Sequence, residues 1–166
     1  MKIKFLFIFL LISKIYLQVS IAQSNNIPIN NIPKEVKDVL EQYLQMLRNS
    51  KDLDELANNF TSIAGGSLVN EDIEPISLRN TVKPYSLKKD FENIKFYADP
   101  YIITRVSNNN KHTQSGFGAT ALQGKTYKIW IAKMKGEAGL PAPITIIFPE
   151  KHPFIKSPKI IQIGSL

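Results

Sequence analysis

The stretch Gly124–Met134, Gly-Lys-Thr-Tyr-Lys-Ile-Trp-Ile-Ala-Lys-Met, decides how the rest of the chain is read. Successive side chains of a strand point to opposite faces. Tyr127, Ile129 and Ile131 therefore share one face, and Lys128, Trp130, Ala132 and Met134 the other. Apolar bulk on both faces suits a central strand better than an edge strand. The stretch thus predicts a sheet built around itself, with a helical layer packed on it. It predicts no reaction. Gly124-Lys125-Thr126 spells the end of a nucleotide-binding loop, but no glycine stands five residues earlier, and a strand rather than a helix follows.

Downstream of this strand, Gly136–Pro143 reads as a loop, Ile144–Phe148 as a short buried strand, Pro149–Pro153 as a turn and Pro158–Ile163 as the last strand. Upstream, Gly116–Leu122 and Tyr101–Ser107 read as strands, separated by a polar loop over Asn108–Gln114. Before Pro100 the period changes to that of helices. Val36, Val39, Leu40, Tyr43, Leu44 and Leu47 recur at spacings of three and four, which places them on one stripe of a first helix ending near Asn49–Ser50. Pro33 suits its first turn, where a missing N–H costs nothing. A second helix opens at Asp52, with Glu55 three residues on as a capping box, and stops at Gly65-Gly66. Ser67–Val69 reads as a short strand. Ser86 caps a third helical segment, Leu87–Tyr97, and Asp99-Pro100 breaks it. Helices first and an antiparallel meander afterwards make an α+β arrangement: two to three N-terminal helices on a sheet of four to six strands.

The first 22 residues have the layout of a secretory signal peptide: Lys2 and Lys4, the apolar run Phe5–Ile12, and small residues at Ser20 and Ala22. Lys14 interrupts the apolar run well short of the roughly 20 residues needed to cross a membrane, so no span is expected after cleavage. Residues 23–32 read as a polar, asparagine-rich, mobile leader, and 33–166 as one domain. The expected location is the periplasm or the exterior. The chain has no cysteine, which removes disulfides, thiol nucleophiles and thiolate metal sites and leaves stability to the core.

The net charge of +7 is unevenly spread. Residues 23–99 carry nine bases and twelve acids, net −3, whereas residues 100–166 carry nine bases and only Glu137 and Glu150, net +7. Lys125, Lys128, Lys133 and Lys135 around the tryptophan strand could attract a polyanion, but no dense basic run of the nucleic-acid type occurs. Spaced lysines also keep a sheet soluble and its edges unpaired. No nucleic-acid partner is expected.

The order helix-helix-strand-helix followed by a meander resembles the NTF2-like (cystatin-like, SnoaL-like) superfamily over about residues 33–166. Within it, exported bacterial domain families fit better than any named enzyme. The resemblance implies a curved sheet wrapped around a helix, with a cone that often holds a ligand. It also implies which residues would line that cone: Tyr43, Tyr97, Asp99, Tyr101, Arg105 and Trp130. Each has a plainer reading. Asp99 initiates a turn and could pair with Arg105, and the aromatics are core residues with a polar tip.

The catalytic inventory is thin. His112 and His152 fall in predicted polar loops, no strained nucleophile turn surrounds Ser115, and no carboxylate cluster accompanies either histidine. No catalytic residue, metal ligand or cofactor is assigned. The sequence leads to an exported non-enzymatic domain that binds a small molecule or an envelope protein. The alternatives are an isomerase, dehydratase or hydrolase of NTF2-like type, and a polyanion-binding module. A deep cone pocket around a buried Asp or His would favour the enzyme, and a filled, dry core would count against both the enzyme and the small-ligand readings.

Overall fold

The computed structural model describes residues 26–69 and 78–166, so the predicted signal segment and the stretch from Asn70 to Ser77 lie outside the described residues. Helix α1 is Lys34–Asn49, and its buried residues are the whole predicted stripe, Val36 through Leu47. Helix α2 is Leu53–Phe60. The Asp52 side chain accepts from the Glu55 N–H at 2.8 Å, and the Glu55 carboxylate accepts from Lys51 N–H at 3.0 Å. A cap of this kind contributes about 1 kcal/mol.

The third helical region differs from the expected one. A π-helical run, Leu78–Leu87 with Pro84 inside it, continues into α3, Lys88–Asn93, and a 3₁₀ turn, Ile94–Phe96. Ser86 caps nothing because the chain is already helical before it, and no free N-terminal donors remain to be satisfied.

Four antiparallel strands follow in the order β1-β2-β3-β4: Ile103–Ser115, Leu122–Ile131, Ala142–Pro149 and Lys159–Gln162. The tryptophan strand, β2, pairs on both sides, as its two apolar faces predict. The architecture is α+β. Two boundaries are corrected. The asparagine-rich segment after Ser107 is strand, not loop: Asn108 pairs with Tyr127, Asn109 with Thr126, and, after a shift in register, Thr113 with Gly124. The predicted strand Gly116–Leu122 is instead a connection up to Ala121, with a 3₁₀ turn at Gly118–Thr120, and Leu122 opens β2. A strand in an existing ladder gains backbone hydrogen bonds whatever its side chains, so β2 overrides the poor strand propensity of asparagine. Likewise Ser67–Val69 is not strand; Gly66–Leu68 is a 3₁₀ turn, and the strand-like contact is the bridge from Ala64 to Ile160. The leader is docked from Asn26 onward, with Ile27 N–H donating to Val106 O at 3.1 Å and Ile32 buried.

The glycine of Gly-Lys-Thr has a steric role. A β-carbon at Gly124 would stand 1.9 Å from the Phe148 carbonyl oxygen, so only glycine permits β3 to lie this close.

The α1 stripe packs on Val106, Tyr127, Ile129, Ile131, Ile144, Ile146 and Ile160, which share one face of the sheet. Each fully buried aliphatic side chain contributes about 1.5–3 kcal/mol. The opposite face is divided along its length. Near one end Leu122 and Ile147 are fully buried yet stand apart from the main core, with Gly65 and the stem of Lys159 close against Leu122. Near the other end it shows Arg105, Lys128 and Trp130.

One polar cluster lies within the main core. Asp90 on α3 is fully buried, and three donors converge on its carboxylate: Tyr43 Oη from α1 at 2.7 Å, Gly164 N at 2.9 Å and Leu166 N at 3.0 Å. Burial holds the Asp90 carboxyl above the usual carboxylate range, against the opposing pull of these hydrogen bonds. Burial, reinforced by Asp90, pushes the Tyr43 hydroxyl well up. Tyr43→Phe removes one donor and is expected to cost about 1–3 kcal/mol in urea unfolding; an unchanged midpoint would show that the clamp contributes nothing. The sign of the pH effect follows from the raised value. The folded chain holds this proton more readily than the unfolded one, so the Asp90 contribution is complete below the unfolded-state pKa and is lost as pH rises through the folded one. The stability of the wild type relative to Asp90→Asn should therefore fall with rising pH across that window, and a gap that widened with pH would contradict the assignment.

Candidate functional site

The space between α1 and the sheet is occupied by side chains. Leu40, Tyr43, Leu44, Ile129, Ile131, Ile144 and Ile146 are all fully buried there. The residues that the cone reading gathered are accordingly dispersed. Tyr43 is interior, committed to Asp90. Tyr97 is also buried, and its hydroxyl pKa is raised by burial and by Asp90. Asp99 is exposed and pairs with Arg48 at 3.5 Å rather than with Arg105. Tyr97, Asp99 and Arg48 do meet in one shallow surface cleft of about 440 Å³. Tyr101 is half-buried, its pKa raised first by burial and then by Glu41 and Asp38. Arg105 and Trp130 face each other across β1 and β2 on the side of the sheet away from α1. Trp130 is half-buried there and is not a core residue.

The four lysines do not form one surface either. Lys125 and Lys128 project from opposite faces of β2 by strand alternation, and Lys125 pairs with Glu150 at 3.6 Å. Lys133 donates to Ala138 O at 2.8 Å and lies over the Tyr97 ring; Lys135 is exposed beyond the strand.

Asp90 is the buried carboxylate that a general base would require, yet its geometry is structural. It is fully buried, and its oxygens are occupied by one hydroxyl and two backbone donors. A general base must reach the proton it removes. Among the described residues, no three His, Cys, Asp or Glu side chains gather in a way that could hold a metal ion.

What the fold does present is a groove at the end of the sheet where β1 turns into β2 and β3 into β4. Its volume is about 560 Å³, and its apolar lining includes Ala119, Ala121, Leu122, Pro153 and Phe154. Gln114, Gln123, Lys151 and His152 supply polar groups. Phe154 is 87% exposed and Phe117, next to the groove, 74%. His152 ties the two walls. Its Nδ1 accepts from Phe154 N at 3.2 Å and Ile155 N at 2.9 Å, which leaves the proton on Nε2, placed 3.1 Å from Ala119 O. Lys156 closes the same turn by donating to His152 O at 2.7 Å, and Glu150 N–H donates to Gln123 O at 2.9 Å. The imidazole is thus a staple, with neither nitrogen left for acid–base work. Lys151 makes no ion pair or hydrogen bond with any described residue.

Sequence reasoning placed His152 in a loop but did not see this groove. The available signal was an exposed aromatic between Pro153 and Pro158 in a turn too short to bury it. No protein-family model matches the chain, and no curated protein or solved structure shows significant similarity to it.

Asparagine at 152 can keep the acceptor for the turn while losing the reach to Ala119. His152→Ala is expected to speed hydrogen exchange at both Phe154 and Ile155 amides, whereas His152→Asn should keep those two protected. Equal exchange in wild type and His152→Ala would show that the staple does not hold the turn.

Proposed function

We propose that the protein is an exported, non-enzymatic binding domain, and that its site is the groove between the Gly116–Ala121 and Glu150–Pro158 connections. The observation that carries this reading is the groove itself: about 560 Å³, mostly apolar, with walls already tied together and with Lys151 at its rim making no ion pair or hydrogen bond with any described residue. Small-molecule sites are typically about 300–1,000 Å³, apolar, with a few polar groups that fix orientation. Walls held in place before binding lose little entropy on association. The matching ligand has an apolar body and one acidic group, the body lying on Phe154, Ala119 and Ala121 and the acid meeting Lys151. Export is proposed from the signal-like first 22 residues. The filled interior counts against an enzyme and equally against a small ligand held in the cone, which is why the ligand is proposed for the groove at the end of the sheet. The full occupation of Asp90 also stands against an enzyme.

Decanoate, a carboxylate on an apolar chain, is a suitable probe by isothermal titration calorimetry. Binding is expected to weaken about tenfold or more in Phe154→Ala, and to weaken in Lys151→Ala with a loss of salt dependence. Decanol should bind the wild type about as well as Lys151→Ala binds decanoate. Wild-type affinity in Phe154→Ala, or no binding of either probe, would overturn the reading.

A further inference from the structure

The far face of the sheet carries a second cluster, unrelated to the groove. Arg105 lies directly opposite Trp130 in the β1–β2 ladder, and Ser107 directly opposite Lys128. The Arg105 Cζ stands 3.6 Å from the centroid of the Trp130 ring, and the Lys128 ammonium 5.4 Å from it. One indole therefore serves two cations. Neither cation has an acidic partner among the described residues; of the two acids after Pro100, Glu150 is engaged with Lys125.

The consequence is geometric as well as electrostatic. A guanidinium at 3.6 Å above a ring spends its flat surface on the aromatic face and keeps its in-plane N–H fork free. No hydrogen bond within the described residues uses that fork. Stacking also reduces the rotamer freedom that an exposed arginine would otherwise lose on binding. Two positive charges held against one indole add their potentials, and an anion beside the ring is attracted by both. We propose that Arg105, Lys128 and Trp130 form an oxyanion-binding site, and that its ligand is a carboxylate of an acidic polysaccharide.

The choice of a sparsely charged polymer comes from the neighbours. Beyond the two cations the same face continues with neutral hydrogen-bonding groups: Ser107, Thr145 and Gln162 lie in one cross-strand row with Lys128. Thr145 Oγ1 and Gln162 Oε1 are already 3.0 Å apart, which leaves the Gln162 amide N–H groups free to meet hydroxyls. One carboxylate flanked by sugar hydroxyls matches two cations flanked by hydroxyl and amide groups. A nucleic-acid backbone, with a charge on every unit, would call for a longer run of cations than this face offers. The nearby lysines do not extend it, because Lys125 projects to the other face and Lys133 is folded onto Ala138.

Affinity electrophoresis in gels containing polygalacturonate tests the proposal, with dextran as the neutral control. The wild type is expected to be retarded by polygalacturonate and not by dextran, with the retardation fading as salt rises. Arg105→Ala and Lys128→Ala should each weaken binding about tenfold. Arg105→Lys, which keeps the charge but loses the stacked fork, should fall between the wild type and Arg105→Ala. Both side chains are at the surface, so melting temperatures should stay close to wild type and exclude unfolding as the cause. Decanoate affinity should be unchanged in all three variants, which separates this site from the groove. No retardation of the wild type, equal retardation of the variants, or tighter binding to duplex DNA than to polygalacturonate would each overturn it.

Discussion

The rest of the structure depends on the buried carboxylate of Asp90. Removing a carboxylate from water costs several kcal/mol, and only donors delivered by distant parts of the chain offset it. Those donors come from α1 through Tyr43 and from the final described segment through Gly164 and Leu166. Asn93 adds a tie from α3 to Leu166 O at 3.0 Å. Any packing that displaced α1 or the Ile163–Leu166 segment would leave the carboxylate short of donors. The interaction is thus better understood as selecting one arrangement of layers than as adding net stability, since its raised pKa shows burial outweighing the hydrogen bonds.

This constraint has a functional consequence. With Tyr43 turned inward to Asp90 and its ring tilted against Phe60 at 5.1 Å between centroids, the space between α1 and the sheet is filled by described side chains. On the function proposed above, recognition belongs to the periphery, where the meander offers two unlike surfaces. One is the end of the sheet, where two connections enclose an apolar groove. The other is the flat face away from α1, where two cations share an indole. The first suits a molecule that must leave water; the second suits a charge that stays partly hydrated.

The helical half was legible in the sequence because its signals are local. The Val36–Leu47 stripe and the Asp52 cap depend on residues within one or two turns of each other, and both appear as read. The central position of the tryptophan strand was legible too, from apolar side chains on both of its faces. What the sequence hid depends on long-range contact. The asparagine run joins β1 only because β2 offers a ladder, and Ser86 loses its capping role only because the chain before it is already helical. Asp90 looked like one more polar residue on a short helix, whereas Asp99 stood out beside a proline. Burial reverses their importance: Asp90 is enclosed, and Asp99 faces solvent beside Arg48. The groove combines two connections joined at Ala119 and His152, 33 residues apart in sequence, so no short window of sequence contains it.

On the proposed function the space between α1 and the sheet stays closed and the ligand is met at the end of the sheet. Amide chemical-shift mapping of isotopically labelled protein titrated with decanoate tests it most directly. The account predicts shifts confined to Gly118–Gln123 and Lys151–Phe154, with the Gly164 and Leu166 amides unmoved. Shifts centred on Gly164, Leu166 and Tyr97 would contradict it, because they would mean that the ligand enters between the helices and the sheet and that the Asp90 clamp opens to admit it.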